Sequence, residues 1–155
     1  MGENTGTVSS SYATGAVSVG NDSYNIGGLA GYNDGTVTSS YATGAATGGS
    51  GASYIGGLAG WNAGTVSSSY ATGAVSAGND SYNIGGLAGY NAGTVTSSYA
   101  TGAATGGCGA SFHPRLVGVN TDDSTVTSSY AAGAATGGGA RSPITIRGRF
   151  QSTPP

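Results

Sequence analysis

The side chains able to do chemistry are few and scattered. His113 is the only histidine and Cys108 the only cysteine. A zinc or calcium site needs several ligands at short, regular spacing. Neither Cys108 nor the aspartates (Asp22, Asp34, Asp80, Asp122 and Asp123) provide that spacing around His113. Serines abound, but nucleophilic catalysis needs a histidine held between the serine and a carboxylate. The carboxylates nearest His113, Asp122 and Asp123, sit in an inserted turn. We therefore expect no catalytic residue, no metal site and no cofactor, and a chain that is not an enzyme. Cys108 stands where an equivalent glycine-rich turn carries Ser50, and it reads as a surface thiol.

Charge narrows the function further. Four Arg, no Lys, one Glu and five Asp give a formal net charge of -2. All four cations, Arg115, Arg141, Arg147 and Arg149, lie beyond residue 114. The preceding length has no side chain able to neutralise phosphate, which disfavours nucleic acid as a partner. The glycines of Gly-Gly-Leu-Ala-Gly lack the strand-glycine-helix setting that would aim phosphate at a helix N-terminus. No apolar run approaches the roughly 18 residues of a membrane span. The opening Met-Gly-Glu-Asn-Thr-Gly has neither the basic nor the apolar region of a signal peptide.

Such chemistry as remains must come from surfaces, and those depend on a repeat. The phrase Ser-Tyr-Ala-Thr-Gly, or Ser-Tyr-Ala-Ala-Gly in its last copy, places Tyr12, Tyr41, Tyr70, Tyr99 and Tyr130 at intervals of 29, 29, 29 and 31 residues. The units run 6–34, 35–63, 64–92, 93–123 and, in part, 124–140. Residues 141–155 form an atypical cap or tail. Units one and three are nearly identical, and two and four share their first halves, so a 58-residue pair underlies the pattern. Gly-Thr-Val-Thr-Ser-Ser-Tyr-Ala-Thr-Gly at 35–44 reads as one strand. Ile-Gly-Gly-Leu-Ala-Gly-Tyr-Asn at 26–33 is too short and glycine-rich for a helix. The stretch 19–23 reads as a turn. A unit this small cannot bury an apolar face alone and must stack on its neighbours.

The expected fold is all-β, a parallel β-solenoid (β-helix) of about five 29-residue coils. At the strand spacing it is a rod roughly 24 Å long. Stacking then makes rows. Val8, Val37, Val66, Val95 and Val126 form one, and Leu29, Leu58, Leu87 and Leu116 a second. Ile26, Ile55 and Ile84 form a third, interrupted in unit four by His113-Pro114-Arg115. Asn4, Asn33, Asn62, Asn91 and Asn120 should form an amide ladder. Recurring glycines such as Gly31, Gly60 and Gly89 should permit close backbone approach.

Two exposed arrays could carry function. Thr36, Thr38, Thr65, Thr94 and Thr96 should project from one strand face with Val turned inward, which resembles the surface of solenoid ice-binding proteins. Aromatics recur at Tyr32, Trp61 and Tyr90 and in the Ser-Tyr-Ala rows. They read either as a stacked row beside the core or as a strip that packs on sugar rings or a partner protein.

Gly28-Leu29-Ala30-Gly31, with copies at 57–60 and 86–89, resembles the GLUG-motif repeats of bacterial surface proteins. The following Tyr-Asn, Gly-Thr-Val and Ser-Tyr-Ala-Thr-Gly extend the likeness over about residues 4–139, more weakly at 109–115. Such repeats occur in filamentous-haemagglutinin-like adhesins and in IgA-cleaving peptidases, as stalk or adhesive regions. The resemblance implies a structural or adhesive segment of a secreted or cell-surface protein. Its partners would be a host surface protein or a glycan, with end-to-end self-association also open. The alternatives are an ice-binding solenoid, with ice as its partner, and the stalk of a secreted peptidase. The missing export signal and anchor make us expect a fragment of a larger protein, the other reading being a free-standing, capped solenoid.

Overall fold

The computed structural model describes residues 1–110 and 116–137, together with the backbone of 149–151. The departures at 113–115, and the tail apart from the backbone of 149–151, lie outside the described residues. Among the described residues every regular element is a strand, and every strand pairing is parallel. None is a helix long and apolar enough to cross a membrane.

The strands form five sheets, each built from equivalent segments of successive units. One, the asparagine face, takes Glu3–Asn4, Ala30–Asn33, Ala59–Asn62, Ala88–Asn91 and Val117–Asn120. The threonine face follows with Thr7–Ser9, Thr36–Thr38, Thr65–Ser67, Thr94–Thr96 and Thr125–Thr127. The tyrosine face is made by Tyr12–Ala13, Tyr41–Ala42, Tyr70–Ala71, Tyr99–Ala100 and Tyr130–Ala131. Val17–Ser18, Ala46–Gly48, Val75–Ala77, Ala104–Gly106 and Ala135–Gly137 make a fourth sheet, and Tyr24–Gly27, Ser53–Gly56 and Tyr82–Gly85 a fifth. Register is strict: Val37 lies opposite Val66, Ile26 opposite Ile55, and Ala59 opposite Ala88. The result is a β-solenoid with five levels on most faces, about four turns of 29 residues between the first level and the last. Arg149–Gln151 adds a sixth strand to the threonine face, so part of the atypical tail covers the last coil there.

One expectation needs correction. The stretch 35–44 is two short strands, Thr36–Thr38 and Tyr41–Ala42, with a corner between them. Ser39 makes the corner at φ 49°, as do Ser10, Ser68, Ser97 and Ser128 at φ 47–48°. Serine has no preference for this left-handed region, so the second serine of each Ser-Ser pair must hold the corner. Ser40 Oγ donates to the Thr38 carbonyl at 2.8 Å and accepts the Ser11 amide at 3.1 Å. Ser69 and Ser98 repeat both contacts one and two levels on. Ile26–Asn33 is likewise split, into strands on either side of Gly28-Leu29.

The apolar interior is thin and lies in two columns. One stacks the Val row, the Leu row and Ala42, Ala71 and Ala100; the other stacks Ile26, Ile55 and Ile84 with Ala46, Val75 and Ala104. Close apposition of the walls demands small residues. A Cβ on Gly48 would meet Ala52 Cβ and Ile55 Cδ1, each at 2.8 Å. The buried asparagine ladder forms as expected. Each Nδ2 donates to the next Oδ1, from Asn4 to Asn33 at 2.7 Å, Asn33 to Asn62 at 2.6 Å, then Asn62 to Asn91 and Asn91 to Asn120 at 2.7 Å.

The 58-residue pairing of units has a structural counterpart in one turn. Asn21 Oδ1 reaches up one level to accept the Ser50 amide at 3.0 Å, and Asn79 Oδ1 does the same for Cys108. Beside these, Asp22 and Asp80 turn the chain at φ 56° and 54°, and Gly51 and Gly109 turn it one level above at φ 70° and 73°. A Cβ on Gly51 would strike Asp22 Oδ1, and one on Gly109 would strike Asp80 Oδ1. Bulk in odd units therefore fits against its absence in even ones.

Candidate functional site

The threonine face presents the five candidate residues as a regular array. Thr36, Thr38, Thr65, Thr94 and Thr96 are half-buried, with Val37, Val66 and Val95 turned inward between them. Thr36, Thr65 and Thr94 are direct vertical partners, and Thr38 and Thr96 flank Ser67. Some hydroxyls are already engaged. Ser67 Oγ donates to Thr38 Oγ1 at 3.0 Å, and Thr127 Oγ1 to Thr96 Oγ1 at 3.2 Å.

The tyrosine face carries five rings in one column. Centroids are 5.3 Å apart for Tyr12–Tyr41, 4.8 Å for Tyr41–Tyr70, 4.9 Å for Tyr70–Tyr99 and 5.3 Å for Tyr99–Tyr130. Neighbouring rings are parallel to within 10°. Parallel in-register strands fix this separation, since equivalent side chains sit one strand spacing apart. The rings point outward: Tyr12 and Tyr130 at the ends are 66% and 58% exposed. Their faces are covered by one another, so the column offers edges and hydroxyls rather than flat surfaces. Crowding raises the Tyr70 phenol above its ordinary value of 10.0, through lost solvation first and repulsion from Tyr41 and Tyr99 second.

A different aromatic group spans the asparagine face and the fifth sheet. Here the rings are tilted: Tyr32–Trp61 centroids are 6.0 Å apart at 38°, Trp61–Tyr90 4.3 Å at 40°, and Tyr54–Trp61 5.0 Å at 55°. Tyr54 meets Tyr82 and Tyr90 nearly edge-on, at 77° and 86°. Tyr82, the outermost of these rings, is 43% exposed. Tyr54 sits at φ 55°, where Asn25 and Asn83 stand one level to either side at 54° and 56°. Asparagine tolerates that region; a bulky aromatic there is strained. Unit two differs from units one and three here, with Ser for Tyr at 53, Tyr for Asn at 54 and Trp for Tyr at 61; in the sequence, unit four likewise has an aromatic, Phe112, at the position of Tyr54. Trp61 Nε1 and Asn25 Oδ1 are both buried without a hydrogen-bond partner.

Sequence reasoning found Tyr32, Trp61 and Tyr90 but missed Tyr54 and Tyr82. The visible signal was the alternation Asn25, Tyr54, Asn83, Phe112 along one sequence position. Cys108 is exposed, as read. Asp122 and Asp123 lie in an exposed turn, while His113 falls outside the described residues.

The Gly-Leu-Ala-Gly turns and the Tyr-Asn, Gly-Thr-Val columns are what a family comparison detects. A model described as the GLUG motif matches three times, at residues 22–47, 51–76 and 80–105, half of the chain. The chain belongs to the GLUG-motif family. No curated protein and no solved structure matches it. Each GLUG match begins at the turn formed by Asp22, Gly51 or Asp80 or just beside it, and runs through the fifth sheet to the fourth sheet of the next level. The family motif is therefore one turn of the solenoid, and the aromatic group is built across consecutive GLUG units.

Proposed function

We propose that this GLUG chain is a non-enzymatic, rod-forming segment of a secreted or surface-exposed bacterial adhesin-type protein, and that the aromatic group around Trp61 contacts neutral glycan. The observation that carries the reading is Tyr54. A strained backbone costs on the order of 1–3 kcal/mol, and in unit two it sets a ring against Trp61, Tyr82 and Tyr90. The half-buried Tyr54, Trp61 and Tyr90 and the exposed Tyr82 form one contiguous aromatic surface, the kind that packs on the apolar face of a pyranose. No cationic side chain precedes Arg115 to attract an acidic ligand. In a peptidase the same rod would serve as a stalk, with catalysis elsewhere.

Trp61 is the only tryptophan, so its fluorescence reports on this patch. Titration with neutral linear oligosaccharides (β-linked glucose, mannose and N-acetylglucosamine series) should shift Trp61 emission. Tyr54→Asn, which relieves the strained backbone and keeps the fold, should weaken binding at least tenfold. Unchanged emission across all three series would overturn the glycan assignment.

The threonine face separates this reading from ice binding. We expect no thermal hysteresis. Ser9 and Ser67 break the methyl array of their column, and the Ser67–Thr38 and Thr127–Thr96 hydrogen bonds turn hydroxyls toward each other. Thr65→Glu, in the middle of the face, should change stability by no more than about 0.5 kcal/mol, as at an ordinary surface site. Ice shaping by the unmodified chain, lost in Thr65→Glu with the fold intact, would replace the adhesin reading with the ice-binding one.

A further inference from the structure

The tyrosine column is not used by the function proposed above, and its geometry suits a covalent reaction. We propose that Tyr41, Tyr70 and Tyr99 form an oxidative stapling site, in which a haem-peroxidase type of one-electron oxidant with hydrogen peroxide joins vertically adjacent rings as dityrosine. The substrate pairs are Tyr41–Tyr70, with centroids 4.8 Å apart and planes within 3°, and Tyr70–Tyr99, 4.9 Å apart and within 4°.

The chemistry balances on these atoms. Each phenol gives one electron to the oxidant and its phenolic proton to water. The two phenoxyl radicals place spin on the ring carbons next to the oxygen-bearing carbon, and those carbons couple. A C–C bond forms; each joined carbon then loses its hydrogen as a proton while each oxygen regains one. Two tyrosines and one hydrogen peroxide give one dityrosine and two waters.

Three features favour coupling within the column. In stacked, in-register rings equivalent carbons face each other one level apart, so the partners are already together. The strand ladder holds both backbones: Tyr70 N–H donates to the Ser40 carbonyl and Tyr99 N–H to the Ser69 carbonyl, each at 3.1 Å. The column is also open to an oxidant from outside, because Tyr12 and Tyr130 are exposed and the three inner rings are half-buried. The edge-on pairs Tyr54–Tyr82 and Tyr54–Tyr90, at 77° and 86°, do not oppose equivalent carbons. Each bond would tie successive coils through a side-chain bridge, closing a loop of 29 residues and restricting the unfolded chain.

The test uses the full chain carrying Cys108→Ser, which removes the exposed thiol as a competing radical trap, at low concentration with a haem peroxidase and hydrogen peroxide. Expected are monomers two hydrogens lighter per bond, dityrosine fluorescence, peptide maps linking Tyr41 to Tyr70 or Tyr70 to Tyr99, and a raised thermal midpoint. Tyr70→Phe keeps a ring in the stack but cannot form its radical, and it leaves Tyr41 and Tyr99 two levels apart. Linkage within 41–99 should be lost. Cross-links confined to dimers, or mapping first to Tyr54, Tyr82 or Tyr90, would overturn the proposal. The peptide map of the Cys108→Ser chain decides the matter even if Tyr70→Phe does not fold.

Discussion

Asn62→Ala should destabilise the solenoid by about 2–6 kcal/mol, because two buried polar groups lose partners at once and each costs about 1–3 kcal/mol. Asn62 accepts from Asn33 Nδ2 at 2.6 Å and donates to Asn91 Oδ1 at 2.7 Å. Its Nδ2 also reaches the Gly64 carbonyl at 3.2 Å, fixing the turn that starts the next unit. All three asparagines are fully buried, so the groups left behind are cut off from bulk solvent. Asn4→Ala breaks the same ladder at its end, where only the Asn33 Oδ1 loses a ladder partner. The loss there should be less than half as large. Urea denaturation of the two variants checks this, and equal losses would mean that the amides act as separate turn caps rather than as a chain. Asn62→Asp should be worse than Ala, since it buries a charge and no cationic side chain stands among the described residues to pair with it.

The architecture was legible because the same signal is written several times. The 29-residue interval of the tyrosines fixes vertical neighbours, and the alternation of Thr, Val and Thr fixes which side faces in. Val37 opposite Val66 and the Asn4-to-Asn120 ladder follow from those two facts alone. Corners were not legible. Gly-Thr-Val-Thr-Ser-Ser-Tyr-Ala-Thr-Gly looks like one strand because a left-handed serine has no signature of its own. What permits Ser39 to turn is the buried hydroxyl of Ser40 binding both its own unit and the one before. The pairing of units was visible as near-identity at 58 residues, but the fit between alternate turns was not. It depends on Asn21 and Asp22 sitting beneath Gly49-Ser50-Gly51, a contact between residues 29 apart that no local pattern announces. The aromatic group failed for a related reason. Tyr54 and Trp61 lie on different strands of one turn, and their meeting with Tyr82 and Tyr90 requires the register of two levels.

Leu58→Ala should cost about 2–5 kcal/mol, the range for a buried leucine whose surroundings cannot collapse into the space. The reason it cannot collapse is backbone. Leu29 N–H donates to the Leu58 carbonyl and Leu58 N–H to the Leu87 carbonyl, each at 2.9 Å, so the levels above and below are held at strand spacing whatever fills the gap. Leu58 is 1% exposed and packs within a continuous column of Leu, Val and Ala. Leu116 sits at the end of the same column among the described residues and is 8% exposed. Its amide ladder is shared with Leu87 on one side, through the Leu87 N–H to Leu116 carbonyl bond at 2.8 Å. In a stack where each coil is stabilised by its nearest neighbours, an interior coil has two interfaces and an end coil one. Leu116→Ala should therefore cost roughly half as much as Leu58→Ala by that nearest-neighbour counting. Denaturation midpoints of the two variants, compared at unchanged denaturant sensitivity, measure the difference. Equal losses would show that the chain unfolds as one indivisible block, and that stability is not graded along the rod.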